Sequence, residues 1–263
     1  MNLLEFWSAA CDAWSLLAAF PLHWLAVILV ILIAVESLMF VPVVGFVIKL
    51  AVAGVVVAQV IAMFGLAAAG QSPSPLGLIS GFSLPLGAQV ALALAALLPF
   101  FAGMLFLYFK AGPQTVKFFF GNLFKIKPPS PEQFVQLKYV MHLAALPLTF
   151  LAGAVVIKGL SGFAAVSSAI VAAVNNWLPI FLLFLLALAF EWLSEKLPTF
   201  LPRSAAAAVG GILLVAYLAW SLALTYTVSA RVLNPAHPAV RPNPSIERDV
   251  QGLSPSVAPH VKR

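Results

Sequence analysis

The chain has 263 residues, 63% of them hydrophobic and only 8% charged, with a mean hydropathy of +1.07. Soluble domains run about half apolar and a quarter charged, and they still expose much of their surface, so no water-soluble core of this length could absorb such a composition. The net charge of +6 would point to nucleic acid in a soluble protein, but the bases here cluster at the ends of apolar runs, where they set topology and touch lipid; nucleic-acid binding is excluded on that placement.

Cys11 is the sole cysteine, so an internal disulfide is impossible. Ser8–Cys11 is similar to a lipoprotein cleavage site. The basic residues that should precede one are missing and Glu5 interrupts the apolar stretch, so 1–19 is read as retained. Residues 3–19 carry Leu3, Phe6, Trp7, Trp14 and Leu17 among Glu5, Ser8 and Asp12. That spacing predicts an amphipathic helix lying in the membrane interface, with tryptophan at headgroup depth. Pro21 breaks it and opens the next helix.

Residues 20–69 are almost unbroken apolar chain, with one acid (Glu36), one base (Lys49) and Pro42-Val-Val-Gly45 between them. A single helix of that length would far exceed a ~30 Å hydrocarbon layer at ~1.5 Å per residue, so the chain must reverse. Pro42–Gly45 supplies the turn, giving spans at about 22–41 and 43–69, with Glu36 and Lys49 on the same side of the hairpin. The uncharged stretch 71–85 holds three prolines, two glycines and four serines and is a re-entrant or surface-lying connector. A third span follows at 86–109, kinked at Pro99.

Residues 110–138 set Lys110, Lys117, Lys125, Lys127 and Lys138 against a single acid, Glu132, with Phe118, Phe119, Phe120 and Phe124 among them. Lys117, Lys125 and Lys127 are the candidates for contact with lipid or a partner, against the plainer reading of an interfacial loop with aromatic anchors. Ser130-Pro131-Glu132-Gln133 is a helix start with a capping box. The fourth span runs over about 139–157, kinked at Pro147. Residues 160–176 place Phe163, Val166, Ile170 and Val174 in a stripe, which predicts an interfacial helix; a short seventh span is the alternative. Spans five and six follow at about 178–197 and 204–230. The latter opens on Ser204–Ala208 and Ala207–Gly211, small-residue pairs that permit close helix approach. Residues 232–263 carry six prolines and no apolar period and form a disordered tail, leaving 1–231 as the membrane domain. Asn243–Arg248 through His260–Arg263 resembles the translated intergenic repeats that end many unrelated bacterial proteins.

The first and last thirds repeat one order. A helix with a tryptophan near its end (Trp14; Trp177) is followed by a proline (Pro21; Pro179), a span, a glutamate (Glu36; Glu191), a second proline (Pro42; Pro198) and another span. Two spans lie between the copies, which makes the repeats parallel. This punctuation, with Trp24, the Ile79-Ser80-Gly81-Phe82 strip, Ser168, Asn176-Trp177 and Tyr226…Arg231, resembles a bacterial family of uncharacterised multi-span membrane proteins. The likeness covers about 3–231 and implies a membrane protein with no catalytic residues. This chain lacks the basic residues that the family tends to carry before its first span.

Intramembrane acids are functional candidates by default, and Glu36 and Glu191 form the best pair for handling a proton or cation; the alternative is that both snorkel at helix ends. Gln59, Asn175 and Asn176 suit bonds between helices. His23 and His142 enter from opposite faces, which argues against a shared haem or metal. No phosphate loop, zinc motif or nucleophile triad is present. No cofactor is implied. These features predict an all-α polytopic bundle of about six spans in a bacterial inner membrane. Its role would be non-enzymatic, in envelope organisation or complex assembly, with lipid and a membrane-protein partner or second copy as its contacts. A small-solute or ion transporter using the two glutamates is the alternative. Positive-inside counting places the termini outside, whereas the family resemblance places them inside.

Overall fold

A computed structural model describes residues 1–38, 45–113, 115 and 129–234. The expected turn at Pro42, the candidate residues Lys117, Lys125 and Lys127, and the tail from 235 lie outside the described residues. Those described are helical, with no strand among them, which is the all-α bundle that the composition demands.

Nine α-helices follow in order: α1 (Leu3–Ala19), α2 (Pro21–Ser37), α3 (Gly45–Ala68), α4 (Leu86–Ala111), α5 (Pro131–Ala145), α6 (Leu151–Lys158), α7 (Gly162–Asn175), α8 (Trp177–Phe200) and α9 (Arg203–Leu233). Local chemistry sets several of their boundaries. At α1 the Asn2 side chain accepts from the Glu5 amide while Glu5 caps Asn2, so the acid that breaks the apolar pattern is half of a capping box. Ser130 and Gln133 form the same device at α5, as their spacing predicts. Pro147 sits in a 3-10 turn (Leu146–Leu148) that divides α5 from α6, whereas α8 runs straight through Pro198 to Phe200 instead of stopping before it.

Among the described residues, five segments are long and apolar enough to cross a membrane: Val47–Ala68, Leu86–Ala111, Pro131–Lys158, Trp177–Phe200 and Ser204–Leu233. Within the first expected span, α2 has 17 residues and meets α1 at a 94° elbow, where the Trp24 indole donates to the Leu16 carbonyl across the bend. Successive spans run antiparallel. Lys49 at the start of α3 meets Glu36 at the end of α2. Gly103 late in α4 meets Leu137 and Met141 early in the Pro131–Lys158 span, and Leu197 late in α8 meets Gly210 early in α9. The chain's first helix and the last turn of α9 therefore sit at one end of the bundle, where Arg231 bonds Asp12. Helix α7 has 14 residues, short of the ~20 that a span needs. Both its ends rest at that same end of the bundle, Gly162 against Gly87 and Asn176 against the Met1 amine.

Helix α3 is the hub, with 67% of its apolar window buried against 11% for α8 and for α9. Trp24, Phe64 and Tyr226 stack in sequence across α2, α3 and α9, at centroid separations of 3.9 and 6.0 Å. Close approach depends on glycine. A Cβ on Gly54 would strike the Leu92 carbonyl, one on Gly103 would meet Met141 Cγ at 2.9 Å, and one on Gly153 would meet Ser229 Cβ at 2.8 Å.

At two helices most of the large apolar side chains face the outside of the bundle, as an interfacial helix requires. Helix α1 buries Phe6, Ala9 and Ala13 but leaves Trp7 and Trp14 exposed. Helix α7 buries Ala165, Ala169, Ala172 and Ala173, while Phe163, Ile170 and Val174 of the expected stripe point outward. In a bilayer the outside is as apolar as the inside, so small residues go where backbones must touch and large ones face lipid.

The two sequence repeats share a backbone feature. Phe20, between α1 and α2, has φ −139° and ψ 55°; Asn176, between α7 and α8, has φ −130° and ψ 50°. Each turns the chain into a helix that starts from the same end of the bundle, so the copies run parallel.

Candidate functional site

Helices with few charges make each charge conspicuous, and several of those described are met by partners. Glu36 accepts from Lys49 Nζ through both carboxylate oxygens, at 2.7 Å each. The end of α2 and the start of α3 set this pairing, since they bring residues 13 apart face to face. Glu191 on α8 bonds His142 on α5, with 2.9 Å between Oε1 and Nε2. One helical turn away, Lys138 Nζ donates to Glu195 Oε1 at 2.9 Å. These four residues form an antiparallel ladder: Lys138 and His142 are four apart on α5, Glu191 and Glu195 four apart on α8.

The ladder bridges two helices that do not pack closely, since α5 rests on α4 and α8 rests on α9. Its His142–Glu191 rung is half-buried, with side chains 31% and 32% exposed, whereas Lys138 and Glu195 are 42% and 56% exposed. A cavity of about 80 Å³ opens beside it, lined by Val135, Lys138, Tyr139, Glu191, Trp192 and Glu195. Phe184 packs edge-on to the His142 ring, with centroids 6.2 Å apart. Farther along the same seam is a cleft of about 340 Å³ walled by Leu146, Pro147, Ile170, Val174, Trp177 and Phe181.

Two other polar constellations tie the fold together. Arg231 near the end of α9 donates to the Glu5 carbonyl at 2.7 Å, to Ser8 Oγ at 3.0 Å and to the Asp12 carboxylate, while Thr227 donates to the Ala9 carbonyl at 2.9 Å. Gln59, 1% exposed, donates to Ser80 Oγ at 2.6 Å and so pins the Pro75–Ser83 3-10 turn onto α3. The expected glue role of Gln59 is thus filled by a connector and not by another span. A third cleft, about 510 Å³, opens between the α1–α2 elbow and α9; Trp14, Leu17, Trp24, Ile28, Gly211 and Val215 are among its walls.

The structure gives Glu36 and Glu191 separate partners and does not join them in one site. Asn176 bonds the Met1 amine and the Ala172 carbonyl. His23 stands beside Phe20 at the opposite end of the bundle from His142. Among the described residues no group of three His, Cys, Asp or Glu gathers as metal ligands. The sequence signal for the ladder was available, as two pairs of ionisable residues each spaced by four on helices able to run antiparallel. Reading Glu191 as an acid that snorkels at a helix end hid it. No family model, curated protein or solved structure matches this chain.

The helices suit an integral, multi-pass membrane protein. Chemically, the arrangement pairs acids with bases of the same chain and leaves apolar clefts open on the sides of the bundle.

Proposed function

We infer that the protein is a non-enzymatic component of a bacterial inner membrane that works by assembling with another membrane protein or with a second copy of itself. The observation that carries this reading is the outer edge of α9. Gly211, second member of the Ala207–Gly211 pair, has no heavy atom of the chain within 4 Å of where a Cβ would stand, and Ala207 and Ala208 beside it are exposed. The strip borders the 510 Å³ elbow cleft, so exposed small residues adjoin an open apolar cleft on a helix whose most apolar window is only 11% buried. The family resemblance supports the bacterial setting and carries no activity with it.

The test is cysteine cross-linking in native membranes. With Cys11 replaced by serine, Gly211→Cys and Ile212→Cys should give a species of one discrete higher mass under oxidation, while Leu94→Cys on the exposed face of α4 should not. Monomer alone at both α9 positions counts against assembly through this edge.

One observation favours a second reading, transport of a proton or small cation: the half-buried His142–Glu191 pair lies within two spanning helices. Proteoliposome flux separates the two. Transport predicts a flux that falls at least about tenfold in Glu191→Gln, since the carboxylate would be the carrier; assembly predicts no flux in the wild type, in Glu36→Gln or in Glu191→Gln.

A further inference from the structure

We propose that the seam between α5 and α8 binds one phospholipid whose headgroup carries both a primary ammonium and a phosphate, as a phosphatidylethanolamine does. The proposal concerns the lateral seam and holds whether or not the α9 edge recruits a partner.

The seam has the form of such a lipid. Its walls follow helical stripes: Val135, Tyr139, His142 and Leu146 lie three or four apart on one side, and Glu195, Trp192, Leu188 and Phe181 fall on one face of α8 on the other. One end is polar, at the ladder, and the other is apolar, at the 340 Å³ cleft. From Glu191 to Phe181 is ten residues, about 15 Å at 1.5 Å per residue, which matches half of a ~30 Å hydrocarbon layer. A lipid with its headgroup at the ladder would therefore lay one acyl chain along the seam with the chain's end in the cleft. Because α5 and α8 are bridged by side chains and not by close backbone packing, there is room for that chain between them.

Charge selects the headgroup. The ladder offers two carboxylates, one ammonium and one imidazole, so it carries no surplus positive charge. An anionic headgroup would set its phosphate against Glu191 and Glu195 with no cation of its own to compensate. A choline headgroup balances in charge but has no N–H to donate to them. A primary ammonium can donate to Glu195 and Glu191 beside the faces of Tyr139 and Trp192, which favour a cation. The phosphate of the same headgroup then accepts from Lys138, whose side chain is 42% exposed and free to swing toward it. The lipid thus joins the ladder as a further rung, with each of its charges opposite an unlike one.

The test uses the full chain, purified in detergent and stripped of lipid. Thermal unfolding is followed while phosphatidylethanolamine, phosphatidylcholine or phosphatidylglycerol of identical chains is added. The expected result is half-maximal stabilisation by phosphatidylethanolamine at a concentration at least about fivefold below that of the other two, with the preference abolished in Lys138→Gln/Glu195→Gln. Equal response to all three lipids, or a preference that survives the double substitution, overturns the proposal. If the substituted protein does not fold, the wild type decides. A phosphatidylethanolamine with a photoreactive group near the end of one chain should label peptides containing 146–147 and 177–181 above the level reached by the choline analogue. Equal labelling, or labelling elsewhere only, overturns it.

Discussion

The tightest constraints in this molecule sit at single small residues. Gly153 faces Ser229 so closely that a Cβ would stand 2.8 Å from the serine's own, and Gly54 faces a main-chain carbonyl that cannot rotate away. Gly153→Val should therefore cost about 1–3 kcal/mol, the usual range for overpacking, read as a lowered unfolding midpoint in detergent. Gly211→Ala, with open space before it, should stay within about 0.5 kcal/mol of wild type. Ser229 makes a subtler case. Its hydroxyl is fully buried and has no hydrogen-bond partner. Ser229→Ala removes that orphan and keeps the small volume that Gly153 requires, so it should leave the unfolding midpoint unchanged or raise it; a drop of more than about 1 kcal/mol would mean the hydroxyl is satisfied in the membrane. Neither Gly54 nor Gly153 stood out in the sequence. A glycine that lets two helices touch looks the same in the chain as one facing lipid, and the conspicuous Gly211 packs closely against no other helix.

At the scale of elements, the clearest dependence is that of α1 on α9. Arg231 reaches three groups on α1, and Thr227 donates to the Ala9 carbonyl, which is accessible because Ala9 and Ala13 are fully buried against α9. A guanidinium can spread over three acceptors where an ammonium holds fewer in one geometry. Arg231→Ala should free α1, raising hydrogen exchange across 3–19 by at least about tenfold while the α3 hub keeps its protection; Arg231→Lys should fall between. Unchanged exchange in α1 would show that alanine packing alone holds it. Helix existence was legible throughout, because runs of this hydropathy have one stable form in a bilayer. Helix orientation was not. For α1 and α7 the large apolar side chains gave the amphipathic signal, and the structure turns most of them outward while packing Phe6 and the alanines inward. Moment arguments assume that water lies on one side, and at these helices neither side is simply aqueous. The elbow at Phe20 and its counterpart at Asn176 were legible as punctuation, since tryptophan and proline recur there, although the shared backbone angles could not be read from the chain.

At the scale of the whole molecule, the arrangement fixes which ends of helices share a membrane face. Lys49, Lys110, Lys138, Glu191 and Glu195 gather at one end, where α3 begins, α4 and α8 finish and α5 starts. The sequence adds Lys117, Lys125 and Lys127 between α4 and α5, with Lys196 near the end of α8 and Arg203 at the start of α9. Arg231, Lys158 and the acids of α1 mark the opposite end. An excess of bases near span ends is retained in the cytoplasm, so the lysine-bearing end should lie inside and α1 outside. Cys11 makes this directly measurable, because it is exposed on α1 and no other thiol competes. A membrane-impermeant maleimide applied to spheroplasts should label Cys11, and should label Glu132→Cys in a Cys11→Ser background only after the membrane is opened. Lys158→Cys in the same background serves for the α1 end if lipid shields Cys11. Labelling of both ends from one side would require an even number of crossings between them and remove the antiparallel order of spans on which the parallel repeats rest. Clean opposition with the polarity inverted would keep the fold but put the positive end outside, and the determinant of insertion would then be sought in α1, whose two acids and missing bases set it apart from an ordinary leading segment.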